Sequence, residues 1–150
     1  MNVRGPMLET PSLVLINNEP TFRWTVSQLL LGHGYSVSVH DRRPDAIEHV
    51  RDVRPDAVIL EASYGSAVTA VGIVERLRAD RTLRYTPIIV CSPDGKFLHS
   101  YGEFLRGQGC VVLGRPFDAE RIIEVVQRAV SLHTAPAYAA TSSHYPHSSW

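Results

Sequence analysis

The chain has few cysteines, no surplus of charge of either sign and no long apolar run. Cys91 and Cys110 are its only cysteines and form no CxxC pair, which argues against a disulfide framework and favours a reducing compartment. Fifteen basic and fifteen acidic residues give zero formal net charge, so the field that attracts nucleic acid or an anionic membrane is missing. No stretch approaches the roughly 20 apolar residues of a membrane span, and the N-terminus lacks the apolar segment of a signal peptide. These absences predict a cytoplasmic protein that binds neither nucleic acid nor membrane.

What remains is an ordinary globular composition. The 150 residues are 44% hydrophobic and 20% charged, which suffices for one compact domain with a core. Short apolar runs alternate with longer segments whose apolar residues recur every three or four positions, a pattern typical of a parallel sheet covered by helices on both faces. The five predicted strands are SLVLI from Ser12, YSVSVH from Tyr35, DAVILE from Asp56, PIIVC from Pro87 and CVVL from Cys110.

Five helices are predicted after these strands, bounded by proline, glycine or a capping residue. The first is predicted from Pro20 to Gly32 or Gly34, the second from Pro44 to just before Pro55, and the third over about residues 67–79. The fourth is predicted to begin near Lys96 and to be interrupted at Gly102, and the fifth to begin after Asp118. Residues 1–11 are predicted as an N-terminal extension and 12–132 as the domain. Residues 133–150 lack any hydrophobic period, which predicts a disordered tail.

Polar residues follow four of the five predicted strands. In an open α/β sheet, ligands and chemistry collect outside the carboxyl ends of the strands, so these residues are the candidate site. They are Asn17, Asn18 and Glu19 after the first strand, Glu61 at the end of the third, Ser92 after the fourth and Arg115 after the fifth.

These strand ends resemble those of response-regulator receiver domains of two-component signalling, over about residues 12–132. INNEP occupies the place of the family's two aspartates followed by Glu-Pro, and Glu61 that of its phosphoacceptor aspartate. IIVCS puts Ser92 at the family's Thr/Ser switch position, and GRPFD puts Arg115 at the lysine of its Lys-Pro-Phe. The resemblance implies an α/β, flavodoxin-like (βα)5 receiver fold, with strand order 2-1-3-4-5 and helices on both faces.

The chain departs from the family at every charged position of that site. The family holds Mg²⁺ with three carboxylates, two of which are the amides Asn17 and Asn18 here, so Mg²⁺ binding should be very weak and no cofactor is expected. Glu61 has one extra methylene, and misplacement by about 1 Å disfavours in-line attack on a phosphodonor. Val112 occupies the family's aromatic switch position, and the loop after Glu61 lacks its Pro-Gly-x-Asp-Gly pattern. The departures predict a degenerate pseudo-receiver without catalytic residues or a metal site.

Simpler interpretations of the same residues stay open. For Asn17 and Asn18, hydrogen bonds to backbone groups of the loop are favoured over metal binding. For Glu61, an ion pair with Arg115 is favoured over a solvated carboxylate, because both lie at neighbouring strand ends. For Ser92, capping the turn before the following proline has the same weight as a switch role.

The two cysteines test the predicted topology. If the fourth and fifth strands are parallel neighbours, Cys91 lies beside Leu113 or Gly114. Cys110 is then three or four residues away along the strand, roughly 10 Å at about 3.3 Å per residue. A disulfide needs Cα atoms within about 7 Å, so both thiols should be free core residues.

The function predicted is that of a stand-alone signalling module that binds proteins without aspartyl phosphorylation. Receivers usually contact partners through the fourth helix, fifth strand and fifth helix, and this partner surface would present Lys96, Tyr101, Arg106, Glu120, Arg121 and Glu124. A signalling kinase, an output protein or a second copy in a homodimer is the expected partner. One alternative is a still-active receiver that uses Ser63, Tyr64 or Ser92 as acceptor. A less favoured one is a flavodoxin-like cofactor-binding protein, although NNEPT has no glycine to cradle a phosphate.

Overall fold

Five parallel strands form one sheet of order β2-β1-β3-β4-β5. The computed structural model describes residues 10–17, 19–41, 44–114 and 118–133. The strands are β1 (Ser12–Ile16), β2 (Ser36–His40), β3 (Ala57–Glu61), β4 (Ile88–Ser92) and β5 (Val111–Gly114). The predicted fold class and strand order are confirmed.

Five α-helices alternate with the strands, and a short 3-10 turn (Tyr64–Ser66) precedes the third. They are α1 (Pro20–Gly32), α2 (Ala46–Val53), α3 (Ala67–Ala79), α4 (Gly95–Gly107) and α5 (Ala119–His133). The prediction that Gly102 interrupts the fourth helix is wrong. One helical glycine costs only about 1 kcal/mol relative to alanine, and burial of Phe97 and Leu105 on the same helix offsets that cost.

The ends of the chain lie largely outside the described residues. The last helix ends at His133, one residue beyond the predicted limit of the domain. The predicted tail from residue 134 onward and residues 1–9 are not described. Their assignment as tail and extension therefore stays a prediction.

The core has two layers, one on each face of the sheet. Val14 and Ile16 of β1 pack in the layer that α2, α3 and α4 cover, whereas Leu13 and Leu15 pack in the layer under α1 and α5. This alternation follows from the period of two along a strand. Strands β3 and β4 are almost entirely buried, as expected of central strands covered on both faces.

The register of the strands brings their polar carboxyl ends to one edge of the sheet. Glu61 is the partner of Cys91 in the β3–β4 ladder, and Ser92 is the partner of Gly114 in the β4–β5 ladder. A Cβ atom at Gly114 would lie 2.7 Å from Cδ1 of Leu98. A side chain there would require the end of Leu98 to move. The sequence-predicted site residues that are described share this edge.

The loop between α3 and β4, at the opposite edge, is held by side chains from two helices. Arg78 donates to the carbonyl oxygens of Gln108 (2.7 Å), Arg84 (3.1 Å) and Thr86 (2.8 Å). Asp80 accepts from Nη2 of Arg51 at 2.7 Å and from the hydroxyl and backbone N–H of Thr82. The loop therefore has a defined conformation.

Asp80 makes the stability of this loop sensitive to acid. The hydrogen bonds from Arg51 and then Thr82 hold the pKa of Asp80 at about 2, below its usual 3.8. A carboxyl whose pKa is lowered by folding stabilises the fold above its unfolded pKa, and that stabilisation is lost as the pH falls toward its folded pKa. We expect Asp80→Asn to lower Tm at neutral pH and to have a progressively smaller effect as the pH falls toward about 2.

Thermal unfolding followed by circular dichroism between about pH 2 and pH 7 measures this difference. Asp52→Asn is the matched control, because Asp52 is an exposed carboxylate on α2 and its side chain makes no hydrogen bond within the described residues. A Tm difference for Asp80→Asn that is the same at every pH would contradict the assignment.

Candidate functional site

Asn17 is the centre of the candidate site. It follows β1 directly and its side chain is completely buried. Its backbone N–H donates to the carbonyl oxygen of His40 at the end of β2 (3.0 Å). Its side-chain Nδ2 donates to Oε1 of Glu61 at 2.8 Å, and its Oδ1 accepts from the backbone N–H of Glu19. Both ends of this amide are therefore engaged by protein groups.

The hydrogen-bond network determines which way the Asn17 amide points. The reversed amide would face its oxygen toward the Glu61 carboxylate and its NH₂ group toward the Glu19 N–H, so both contacts would become repulsive. In the observed orientation the amide donates to a carboxylate, and such charge-assisted bonds are stronger than neutral ones. The amide thus fixes the position of Glu61.

Glu19, the other carboxylate next to Asn17, has a structural role. Its Oε1 accepts from the backbone N–H of Phe22 at 2.7 Å, which caps the N-terminus of α1, and Pro20 takes the first helical position. The hydrogen bond between Asn17 and Glu19 uses the backbone N–H of Glu19 and not its carboxylate. The Glu19 carboxylate is thus used as a helix cap.

Ser92 is used in a turn at the end of β4. It is completely buried, and its Oγ accepts from the backbone N–H of Asp94 at 3.0 Å. Asp94 in turn caps α4 through the backbone N–H of Lys96 (3.0 Å). The structure therefore shows the turn-capping role, which was one of the two interpretations of Ser92.

The described donor set does not fit a magnesium ion. Mg²⁺ prefers carboxylate oxygens in a near-octahedral arrangement, whereas Glu61 accepts a hydrogen bond from an N–H of Asn17. The one oxygen of the Asn17 amide already accepts a hydrogen bond from Glu19. A cation here would have to break two hydrogen bonds and would gain a single carboxylate from these residues.

Two predicted site residues, Asn18 and Arg115, lie outside the described residues. The proposed ion pair between Glu61 and Arg115 therefore stays a prediction. What the structure adds is a partner for Glu61 that the sequence analysis did not assign, namely the Asn17 amide.

A histidine pair beside the site was missed in the sequence. The rings of His40 and His49 lie 4.7 Å apart, and Nε2 of His49 is 2.7 Å from Oγ of Ser38. Burial, and then the neighbouring His40, lower the pKa of His49. No spacing rule indicates this pair, because one histidine is on β2 and the other on α2. Within the described ranges, it connects to the site through the His40 carbonyl oxygen, which accepts from the backbone N–H of Asn17.

The predicted partner surface divides between two helices. Lys96 and Arg106 are exposed on α4, and Tyr101 is half-buried with its ring 5.4 Å from that of Phe97. On α5, Glu124 pairs with Arg121 at 3.3 Å. A groove of about 520 Å³ lies between β5 and the start of α5, and its described lining is Val112, Leu113, Gly114, Asp118, Glu120, Arg121 and Glu124. Only the α5 half of the predicted surface lines this groove.

No family model matches the chain, and neither does any curated protein. Solved structures do match. The chemotaxis response regulator CheY4 of Vibrio cholerae is 20% identical, with a TM-score of 0.69 over 81% of this chain and 99% of that one. The receiver domain of NtrX from Brucella abortus is 20% identical, with a TM-score of 0.68 over 79% and 98%.

A third match is the receiver domain of the sensor histidine kinase PA1611 from Pseudomonas aeruginosa, solved with a magnesium ion coordinated in its active-site cleft. It is 22% identical to this chain, with a TM-score of 0.63 over 82% of this chain and 99% of that one. The chain therefore has the fold of response-regulator receiver domains. None of the helices in the described ranges is long and apolar enough to cross a bilayer.

Both cysteines are free and buried, and Cys91 is the ladder partner of Leu113, as predicted. Burial, and then Glu61, raise the pKa of Cys91 to about 12, and burial raises the pKa of Cys110 to about 11. Because thiolates are the reactive form, we expect both thiols to resist alkylation and mild oxidation in the native protein and to react fully in denaturant. A thiol-reagent time course followed by intact mass checks this. A native intramolecular disulfide would contradict the strand register.

Proposed function

We propose that the protein is a receiver-like module of two-component signalling that binds protein partners without being switched by aspartyl phosphorylation. The observation that supports it most is the hydrogen bond from Asn17 to Glu61. In place of carboxylates gathered around a metal, the site has a buried amide that donates to the carboxylate at the phosphoacceptor position.

The electrostatics of this arrangement favour one state of the site. Clustered carboxylates repel each other until a cation joins them, so an active site of that kind responds to metal and phosphate. Here the Asn17 amide donates a hydrogen bond to Glu61, so this carboxylate has a protein partner without any added ligand. The proposal therefore includes no catalytic activity, no cofactor and very weak Mg²⁺ binding.

The acceptor alternatives receive less support. Ser92 is completely buried and its oxygen already accepts from Asp94, so a phosphodonor could not approach it without opening the fold. Ser63 bonds within its own turn, where its backbone N–H donates to Oγ of Ser66 at 3.0 Å. No observation favours either residue as a phosphoacceptor.

Partner binding is assigned to the surface made by α4, β5 and α5. The groove beside β5 and the paired charges of Arg121 and Glu124 on its wall provide shape and polarity for a protein contact. A kinase, an output protein or a second copy through the same surface are the partners we propose, with no role for nucleic acid or membrane and with a cytoplasmic location.

A phosphate mimic tests the proposal in solution. We expect Mg²⁺ at millimolar concentration with beryllofluoride to leave the amide resonances of Glu61 and Ser92 unchanged, because an amide N–H donates to Glu61 where a metal site would gather carboxylates. Two-dimensional NMR of the ¹⁵N-labelled chain measures this. Saturable shifts at those two residues would refute the pseudo-receiver assignment.

A further inference from the structure

We propose that the loop of residues 81–85, between α3 and β4, is a docking site for an acidic segment of a partner protein. The 81–85 loop lies at the edge of the sheet opposite Asn17 and Glu61. The inference therefore does not depend on the function proposed for that site, nor on the surface made by α4, β5 and α5.

The 81–85 loop presents an aromatic ring and cations to solvent. Tyr85 is 78% exposed, and the guanidinium carbon of Arg84 lies 5.3 Å from the centre of its ring. Arg81 is also exposed. Tyrosine and arginine are enriched at the residues that contribute most to protein interfaces, and here they are adjacent.

The cations of this edge are not compensated within the described part of the chain. No carboxylate there lies within ion-pair distance of Arg81 or Arg84, or of the exposed Arg54 in the loop before β3. The acids of these two loops are already engaged. Asp80 binds Arg51 and Thr82, and Asp56 accepts from the backbone N–H of Ser12 at 2.8 Å. An otherwise neutral chain therefore has a locally positive edge.

The backbone of the 81–85 loop is also held by hydrogen bonds, which lowers the entropy lost on binding. Leu83 is buried beneath it, and the backbone N–H groups of Leu83 and Arg84 donate to the carbonyl of Asp80. Arg78 holds the carbonyl oxygens of Arg84 and Thr86, which flank Tyr85 on both sides. The backbone that carries the exposed ring and its arginine is thus held to the body of the domain.

The chemistry favours a carboxylate-bearing protein segment as the occupant. The guanidinium fork matches a carboxylate in a bidentate geometry, and the exposed tyrosine ring offers apolar area to the rest of a peptide. Nucleic-acid affinity grows with the number of phosphates neutralised. Two or three free arginines on a chain of zero net charge would neutralise few.

The test titrates the ¹⁵N-labelled full chain with a short capped Glu-rich peptide and with its Gln-for-Glu counterpart. We expect saturable shifts at residues 81–85 with the first peptide and none with the second. Arg81→Glu combined with Arg84→Glu should weaken binding by about tenfold or more, and Tyr85→Ala should weaken it more than Tyr85→Phe. Arg76→Glu with Arg128→Glu changes the net charge equally at exposed positions on α3 and α5 and should leave the affinity unchanged.

Three kinds of result would overturn the proposal. One is a failure of specific binding, shown either by the absence of saturable shifts or by an equal loss of affinity in both double variants. Another is tighter binding of a short DNA duplex than of the Glu-rich peptide to the same amides. The third is self-association in sedimentation that only the Arg81/Arg84 double variant abolishes, which would identify a second copy as the occupant. Beryllofluoride shifts at Glu61 would refute the proposed function and leave these outcomes unaffected.

Discussion

Replacing Asn17, Asn18 and Glu61 together by aspartate is expected to create a magnesium site at the carboxyl ends of the strands. The changes remove the hydrogen bond between Asn17 and Glu61 and supply the carboxylates that Mg²⁺ prefers. A ligand present at about a hundredfold above its Kd stabilises the folded state by about 2.7 kcal/mol. A rise in Tm with Mg²⁺ in the triple variant, absent in the wild-type chain, is the expected result.

The single change Asn17→Asp is the informative control. It would put a carboxylate against Glu61 at a completely buried position, where an N–H now donates. Two carboxylates in contact raise the pKa of one of them. A carboxyl whose pKa is raised by folding destabilises the fold above its unfolded pKa and not below it. We expect a loss of about 2–3 kcal/mol at neutral pH, largely recovered below about pH 4.

Denaturant unfolding at several pH values, with and without Mg²⁺, measures both variants. If the triple variant is insensitive to Mg²⁺, the missing carboxylates are not what prevents metal binding. If the wild-type chain gains as much stability from Mg²⁺ as the triple variant does, the amide at Asn17 does not prevent metal binding.

Replacing Arg78 by alanine is expected to cost the fold about 3 kcal/mol. Its half-buried guanidinium donates to three backbone carbonyl oxygens in two separate loops. Burial lowers the pKa of Arg78, but the side chain remains charged at neutral pH because arginine starts from a very high value. Each carbonyl left unsatisfied costs about 1 kcal/mol or more, which gives the expected sum.

Arg76→Ala is the matched control for Arg78→Ala. Arg76 lies on the same helix, is exposed, and makes one long contact of 3.4 Å to the carbonyl oxygen of Pro44. Its removal should change the free energy of unfolding by less than about 0.5 kcal/mol. Equal losses for the two variants in urea unfolding would mean that Arg78 does not hold the loops together.

Much of the fold follows from local patterns in the sequence. The apolar runs that predict β3 and β4 are continuous because both faces of those strands are buried, so their bounds agree with the structure within one residue. Pro20 marks the start of α1 as predicted. Gly102 does not interrupt α4, because burial of Phe97 and Leu105 outweighs the low helix propensity of glycine. That burial is visible only in the folded helix.

The candidate site was predictable in position and less so in its contacts. Parallel topology alone places Asn17, Glu61 and Ser92 at one edge. Which partner Glu61 selects depends on distances of a few ångströms, which no spacing in the sequence encodes. The same holds for Arg78, whose acceptors are backbone carbonyls and therefore leave no mark in the residue pattern.

The central claim is that this receiver fold does not accept a phosphoryl group. Its most direct test is the intact mass of the wild-type chain after incubation with a small-molecule phosphodonor and Mg²⁺, with an active receiver domain in a parallel reaction to show that the donor works. We predict that the mass of this chain does not change. A gain of one phosphoryl group on native protein, mapped by fragmentation to Glu61, Ser63, Tyr64 or Ser92, would contradict the claim.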